Sequence, residues 1–374
     1  KDVVSMDRGG SSADLWVITG NVTDEASPLP TTLTPLATHR GPIGIASRAA
    51  ENLFWFGRYT ERLENTTRLA RITLEALASE AEETPETLAW LHKLAVSNGL
   101  VSKEVPTPKQ SPQVFERALI ASLADRTAKL GAYSVAATLS SLKYAAFAVR
   151  EHLALEQWSL VAASAAEFEK MMAGSAADAS HGPTYSTQQA LRALERLSTN
   201  VMAMTGAQTD RMTRDDGWRL LSIGRHIERL STLSEALAAA FETGTLESEI
   251  GFSLVLNLFD STITYRSRYL QRRDAQALLE LLALNTENPR SLAWISQTLA
   301  SRIAKMEDTP KGMTPTMLAP HELPHQWSTD AIEALALDND PAAIAALLDG
   351  AMRDAWSISD SLSHRYFSHA EANV

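Results

Sequence analysis

The heptapeptide Gly-Arg-x-x-Glu-Arg-Leu occurs twice in this chain, as GRYTERL at Gly57–Leu63 and as GRHIERL at Gly224–Leu230, 167 residues apart. Both copies lie inside long stretches of helical periodicity. Arg and Glu are among the side chains least often buried without a partner. A charged signature carried by two helices therefore restricts the fold: the helices pair these groups inside a bundle, or turn them toward a shared cleft.

Each helical residue advances about 100° around the axis. On the first copy, Glu51, Phe54, Trp55, Glu61, Arg62 and Asn65 share a face with Arg58, opposite Leu53, Phe56, Leu63, Ala70 and Leu74. On the second, Trp218, Leu221, Arg225, Glu228 and Arg229 share a face, opposite Leu220, Ile223, Leu230, Leu237 and Phe241. The apolar positions coincide after a shift of 167, so the repeat extends beyond seven residues. Gly57 and Gly224 fall mid-helix, where glycine costs roughly 1 kcal/mol relative to alanine; close approach of another backbone would account for it. The charged faces are expected to turn inward. They then form either an Arg–Glu network that fixes helix packing or a pocket in which Arg forks hold a carboxylate or phosphate.

Composition narrows the setting. At 374 residues with 45% hydrophobic side chains, the chain can bury a substantial core. With 17 Gly, 15 Pro and long Ala/Leu-rich segments, an all-α fold is expected. The net charge of −11, with no extended basic patch, argues against nucleic acid as a partner. The absence of cysteine excludes disulfides and thiolate chemistry. No apolar run reaches the roughly 18 residues of a membrane span, and a cytoplasmic location is the simplest expectation.

Residues 1–20 read as two short strands around a turn, the remnant of a preceding domain, and the start at Lys1 fits a fragment or a processed product. Residues 21–44 are a Thr/Pro-rich linker, and 45–371 are a single large multi-helix bundle. Helices are expected at about 47–81, 112–130, 132–153, 156–172, 186–206, 214–242, 247–258, 261–283, 290–306 and 341–369, with Thr84-Pro85, Ser111-Pro112 and Asp340-Pro341 as start signals. Gly174–Pro183 and 307–329 are expected loops.

The segment IASRAAENLFWFGRYTERLENTTRLARI resembles the opening of the alpha-E domain family, an all-helical family named for its ER motif. VREHLALEQW, DDGWRLLSIGRHIERL, TYRSRYL, NPRSLAW and YFSH extend the resemblance in order. DRGGSSADLWVI is similar to the end of a circularly permuted ATP-grasp domain. The resemblance implies an accessory or binding module of an ATP-grasp ligase-like system that makes or modifies a small peptide. Its implied partners are an ATP-grasp domain, in cis or in trans, and transglutaminase- or protease-like proteins. ATP and Mg would enter through that ATP-grasp domain, with no cofactor in the helical domain itself. An enzyme in its own right and a pure scaffold are the alternatives. The candidate binding residues are Glu51, Arg58, Glu61, Arg62, Asn65, Arg150, Arg225, Glu228 and Arg229. Where family members carry a further Arg ahead of Arg150, this chain has Tyr144-Ala145-Ala146-Phe147.

Other patterns point to bland readings. His321-Glu322-Leu323-Pro324-His325 matches H-E-x-x-H, but Pro324 opposes the helix a zinc site of that kind needs. Gly9-Gly10-Ser11-Ser12 lacks the Lys and helix start of a phosphate loop. Arg266, Arg268, Arg272 and Arg273, with Tyr265 and Tyr269, read as a solvated or ion-paired helix face.

Overall fold

The computed structural model describes residues 45–79, 84–127, 134–173, 186–270, 273–307 and 340–367. The expected strands at 1–20, the linker, the two expected loops and the HELPH segment lie outside them, apart from residue 307, the last of a helix. Every regular element of the described residues is helical, in accord with the expected all-α class.

Two long helices organise the rest. α1 spans Ser47–Ala78 and α7 spans Asp216–Thr243, and both are buried around most of their circumference. Leu53, Phe54, Phe56 and Leu63 on α1 are fully covered, as are Leu220, Ile223, Ile227 and Leu230 on α7. A helix apolar on one stripe needs one neighbour; one covered on all sides must be the hub of a bundle.

The other helices wrap this pair. α2 (Pro85–Ser97) packs on α7, with the Trp90 indole donating to the Ala236 carbonyl at 3.0 Å. α3 (Pro112–Leu123), α4 (Val135–Ala148), α5 (Leu155–Met171) and α6 (Thr187–Asp210) cover the α1 side. α8 (Glu249–Leu258), α9 (Thr262–Tyr269) and α10 (Ala275–Leu279) follow α7, and α10 runs on into a π-helical turn, Glu280–Leu284. α11 (Leu292–Glu307) and α12 (Pro341–Leu362) close over α7. The start signals behave as expected at Thr84 and Asp340, whose side chains accept from Thr87 and Ala343 backbone N–H groups. Ser111 makes no such bond, although α3 does begin at Pro112.

Two expected helices are interrupted. The 132–153 stretch ends as α-helix at Ala148 and continues as a 3-10 turn over Arg150–His152. The 261–283 stretch breaks after Tyr269, where Leu270 adopts φ 59°, a conformation that cannot continue a right-handed helix. Its cations are partly ion-paired, Arg268 with Glu287 at 3.5 Å and Arg273 with Glu249 at 3.8 Å. That agrees with a solvated, ion-paired face; Arg272 lies outside the described residues.

Candidate functional site

The two motif glycines meet the opposite helix. A Cβ on Gly57 would lie 2.0 Å from the Leu221 carbonyl oxygen, and one on Gly224 would lie 2.2 Å from the Phe54 carbonyl oxygen. Leu221 and Phe54 each precede the other copy's glycine by three residues, so the contact is the same viewed from either helix. Close approach is therefore why glycine stands mid-helix at both positions. Phe54 and Glu61 of α1 meet Gly224 and Arg225/Arg229 of α7 in the same order, so the helices run parallel.

One turn beyond the glycines, the charges exchange reciprocally. Glu61 accepts at Oε1 from Arg229 Nε at 2.6 Å, and at Oε2 from Arg229 Nη2 at 2.8 Å and Arg225 Nη2 at 3.4 Å. Glu228 accepts at Oε1 from Arg62 Nε at 2.6 Å, and at Oε2 from Arg62 Nη2 at 3.1 Å and Arg58 Nε at 2.9 Å. Each glutamate thus takes one bidentate and one single contact from the other helix, the charge-assisted geometry that Arg forks provide. The motif pairs cross between the two helices, as an inward-turned Arg–Glu network requires.

Burial pushes the Glu61 carboxyl up, but Arg229 and Arg225 outweigh it and hold it down at about 2. For Glu228, burial is likewise outweighed by Arg62 and Arg58, and its carboxyl is lowered. Both glutamates are anionic clamps rather than proton donors.

Each cluster is tied to further elements. Arg58 Nη1 donates to Ser359 Oγ on α12 at 2.9 Å, and its guanidinium lies 5.1 Å from the Trp55 ring centroid. Arg290, just before α11, donates to Glu64 at 2.7 Å, and Glu64 also pairs with Arg68 at 3.4 Å. Of the remaining expected residues, Glu51 is buried on α1 and Asn65 has a buried Nδ2 with no hydrogen-bond partner. Arg150 stands apart: it is exposed on its 3-10 turn, 4.5 Å from the Phe147 ring, because α4 ends before reaching it.

A doubled ER signature in a helical hub is the mark of a known family. Residues 45–367 match Alpha-E, described as a predicted alpha-helical domain with a conserved ER motif. The chain belongs to the Alpha-E family. It is also 25% identical to an uncharacterized protein of Mycobacterium bovis and to two uncharacterized proteins of Mycobacterium tuberculosis. Those alignments cover 92% of this chain but only 40% of each relative. No solved structure matches the chain, and no helix among its described residues is long and apolar enough to cross a membrane.

The Alpha-E pair opens onto a cavity on either side. Beside Glu228, one of about 550 Å³ is lined by Arg58, Arg62, Glu235 and Trp356. Its charges are mixed; burial raises the Glu235 carboxyl, which accepts from Asn98 at 3.2 Å.

Beside Glu61, a cavity of about 600 Å³ lies between α7, α11 and the end of α6. Arg225 and Arg229 belong to the motif, and Arg214, Arg219, Arg290, Arg302 and Lys305 join them. No carboxylate among the described residues lines it. Arg214 and Arg302 both lie over the Trp218 ring, at 4.0 and 4.5 Å. The Trp218 indole N–H is held by the Gln208 carbonyl at 2.9 Å. Thr205 Oγ1, Gln208 Oε1, Arg225 Nε and Arg302 Nε are buried here without partners. Burial, then Arg214 and Arg219, lower the Arg302 pKa, a sign of cations crowded together.

Sequence reasoning missed Arg214, Arg290 and Arg302 as site residues. Arg290 sits in the NPRSLAW segment that carries the resemblance, and Arg214 directly precedes DDGW; Arg302 has no comparable signal. A larger cavity, about 720 Å³, runs between α4 and α5, but no motif residue reaches it. No group of three or more His, Asp or Glu among the described residues could hold a metal ion.

His226, inside the second motif, also lines the cationic cavity. Its Nδ1 lies 2.6 Å from the Ser222 carbonyl, which can only accept, so Nδ1 carries the proton and Nε2 is free of it. Burial, then Arg229, bring its pKa from 6.5 down to about 3. An unfolded chain's histidine takes up a proton below about pH 6.5 that the folded chain refuses until about pH 3. Stability is therefore lost as pH falls through that window, by up to several kcal/mol. Glu61 acts in the same direction lower down, from 4.5 to about 2. The urea midpoint should drop between pH 7 and pH 5, and His226→Gln should flatten that drop. Equal slopes in the two proteins would contradict the assignment.

Proposed function

We propose that this domain is an accessory binding module of an ATP-grasp ligase-like system acting on a small peptide, and that it holds a multiply charged anion in the cavity beside Glu61. One observation carries this reading. Seven cationic side chains wall a single cavity that no carboxylate among the described residues lines, and only three carboxylates among those residues pair with them, in a chain of net charge −11. Placing like charges together in a low-dielectric cleft is unfavourable unless a counter-charge arrives. The ER network itself is structural, since each glutamate is clamped by two arginines of the other helix; its arginines on the α7 side also line the cavity. The relatives extend well beyond the matched part, which leaves room for a ligase-like domain beside this one. A second reading, an enzyme in its own right, has His226 in its favour: an unprotonated Nε2 on a residue lining the cavity.

Arg302→Gln tests the anion site. The substitution removes a crowded cation that has no carboxylate partner among the described residues. It should raise the melting temperature in low-salt buffer by a few degrees. Added sulfate or citrate should stabilise the native protein more than the variant, by mass action. Equal responses of the two proteins to both anions would sink the reading.

A further inference from the structure

A smaller annex adjoins the cationic cavity. A smaller chamber of about 200 Å³ shares Trp294, Thr298 and Arg302 with it, and adds Thr286, Gln297 and Ser301. The two compartments differ in chemistry. The main chamber is dominated by guanidinium groups. The annex has Arg302 at the junction and is otherwise neutral: hydroxyls, one amide and the Trp294 indole. The Trp294 ring is steadied from the side by His226, with ring centroids 5.4 Å apart.

Charge and hydrogen-bond type both restrict the occupant. Among the described residues, three carboxylates contact the seven cations of the main chamber: Asp216 on Arg219, Glu61 on Arg225 and Arg229, and Glu64, which Arg68 shares, on Arg290. That leaves an excess of four. A phosphate monoester brings roughly −1.5 to −2, and each further phosphoryl group in a chain adds about one more charge. Its oxygens accept hydrogen bonds and need not donate, which suits a wall of Arg forks. A peptide would bring an N–H with nearly every carbonyl, and this wall offers few acceptors. Arg302 lines both chambers, and its buried Nε has no hydrogen-bond partner.

Resting on the anion-site reading above, we propose that the two chambers together take an oligophosphate ester. Its phosphate chain lies among Arg214, Arg225, Arg229 and Arg302. Its polar organic group lies in the annex against Trp294, within reach of Gln297 and Ser301. The free Nε2 of His226 gives the wall one acceptor for a hydroxyl or a protonated phosphate oxygen.

The test is calorimetric titration of the full chain with tripolyphosphate, ATP, citrate and a hexaglutamate peptide. Tripolyphosphate and ATP should bind about tenfold or more tightly than citrate or the peptide. Trp294→Ala should weaken ATP by about tenfold while leaving tripolyphosphate nearly unchanged. Arg302→Gln should weaken both, and Arg302→Lys should recover only part of the loss because the fork is gone. If Trp294→Ala fails to fold, Gln297→Ala serves in its place. Citrate or hexaglutamate binding as tightly as tripolyphosphate would overturn the phosphate class while keeping an anion site. ATP and tripolyphosphate responding alike to the annex substitution would overturn the ester. Failure of every anion to bind would remove the anion site itself.

Discussion

Gly57→Ala should destabilise the protein by about 3 kcal/mol or more, on the scale of severe overpacking in a core. The added methyl would lie 2.0 Å from the Leu221 carbonyl oxygen, and that atom belongs to a helix backbone that cannot rotate away. The helices must separate, which loosens the packing around Phe54, Phe56, Leu220 and Ile223. Gly224→Ala should cost a similar amount through the Phe54 carbonyl. The double variant should fall short of the sum, because the first methyl already opens the gap the second would need. Gly206 supplies the control. It lies near the C-terminal end of α6, where a Cβ would meet nothing within 4 Å, so Gly206→Ala should be neutral or stabilise by up to about 1 kcal/mol. Urea midpoints of the four proteins measure all of this; a mild Gly57→Ala would mean the helices do not cross where the glycines stand.

Glu61→Gln is expected to be nearly as damaging, about 3–5 kcal/mol. The side chain keeps its size, so no cavity forms. What disappears is the negative charge that Arg225 and Arg229 share in a site where Glu61 is wholly covered. Two guanidinium groups are left facing each other and the further cations of the neighbouring cavity. Arg62→Ala should cost less, since its side chain is 26% exposed and Glu228 keeps Arg58. Replacing the whole cluster, Glu61→Met with Arg225→Met and Arg229→Met, should recover most of the loss, because a buried ionic triad often gives way to apolar residues at little cost. Thermal melts of the single and triple variants decide it; a triple variant worse than Glu61→Gln would show that the pairs contribute net stability.

Much of this arrangement was legible in the residues. The 167-residue shift that aligned Leu53 with Leu220 and Leu63 with Leu230 identified two equivalent helices, and the glycines announced a backbone contact. Helical periodicity placed most elements to within a few residues. It failed at Leu270, where tertiary context imposes a left-handed residue that the pattern of Thr264–Leu270 does not announce. It also could not say that Glu61 reaches across to α7, because Arg58, Arg62 and Arg225 are plausible partners by spacing alone. The cationic cavity was the least legible. Its residues come from the end of α6, the 211–215 bend, α7, the stretch before α11 and α11 itself, brought together only by folding. Arg302 and Trp218 are adjacent in space and 84 residues apart in sequence.

The reciprocal crossing of α1 and α7 has the form of a two-fold interface between subunits, built within one polypeptide. In such an isologous contact each side carries a surface that fits a copy of itself. The 167-residue tether normally settles the matter, since the intramolecular partner is present at high effective concentration. A piece of the chain holding α1 without α7 would lack that partner and keep the complementary face: a glycine notch, one acceptor and two donors in register. Such a piece is set up to pair with its twin, so exchange of hub helices between molecules is the characteristic way for this architecture to misassemble.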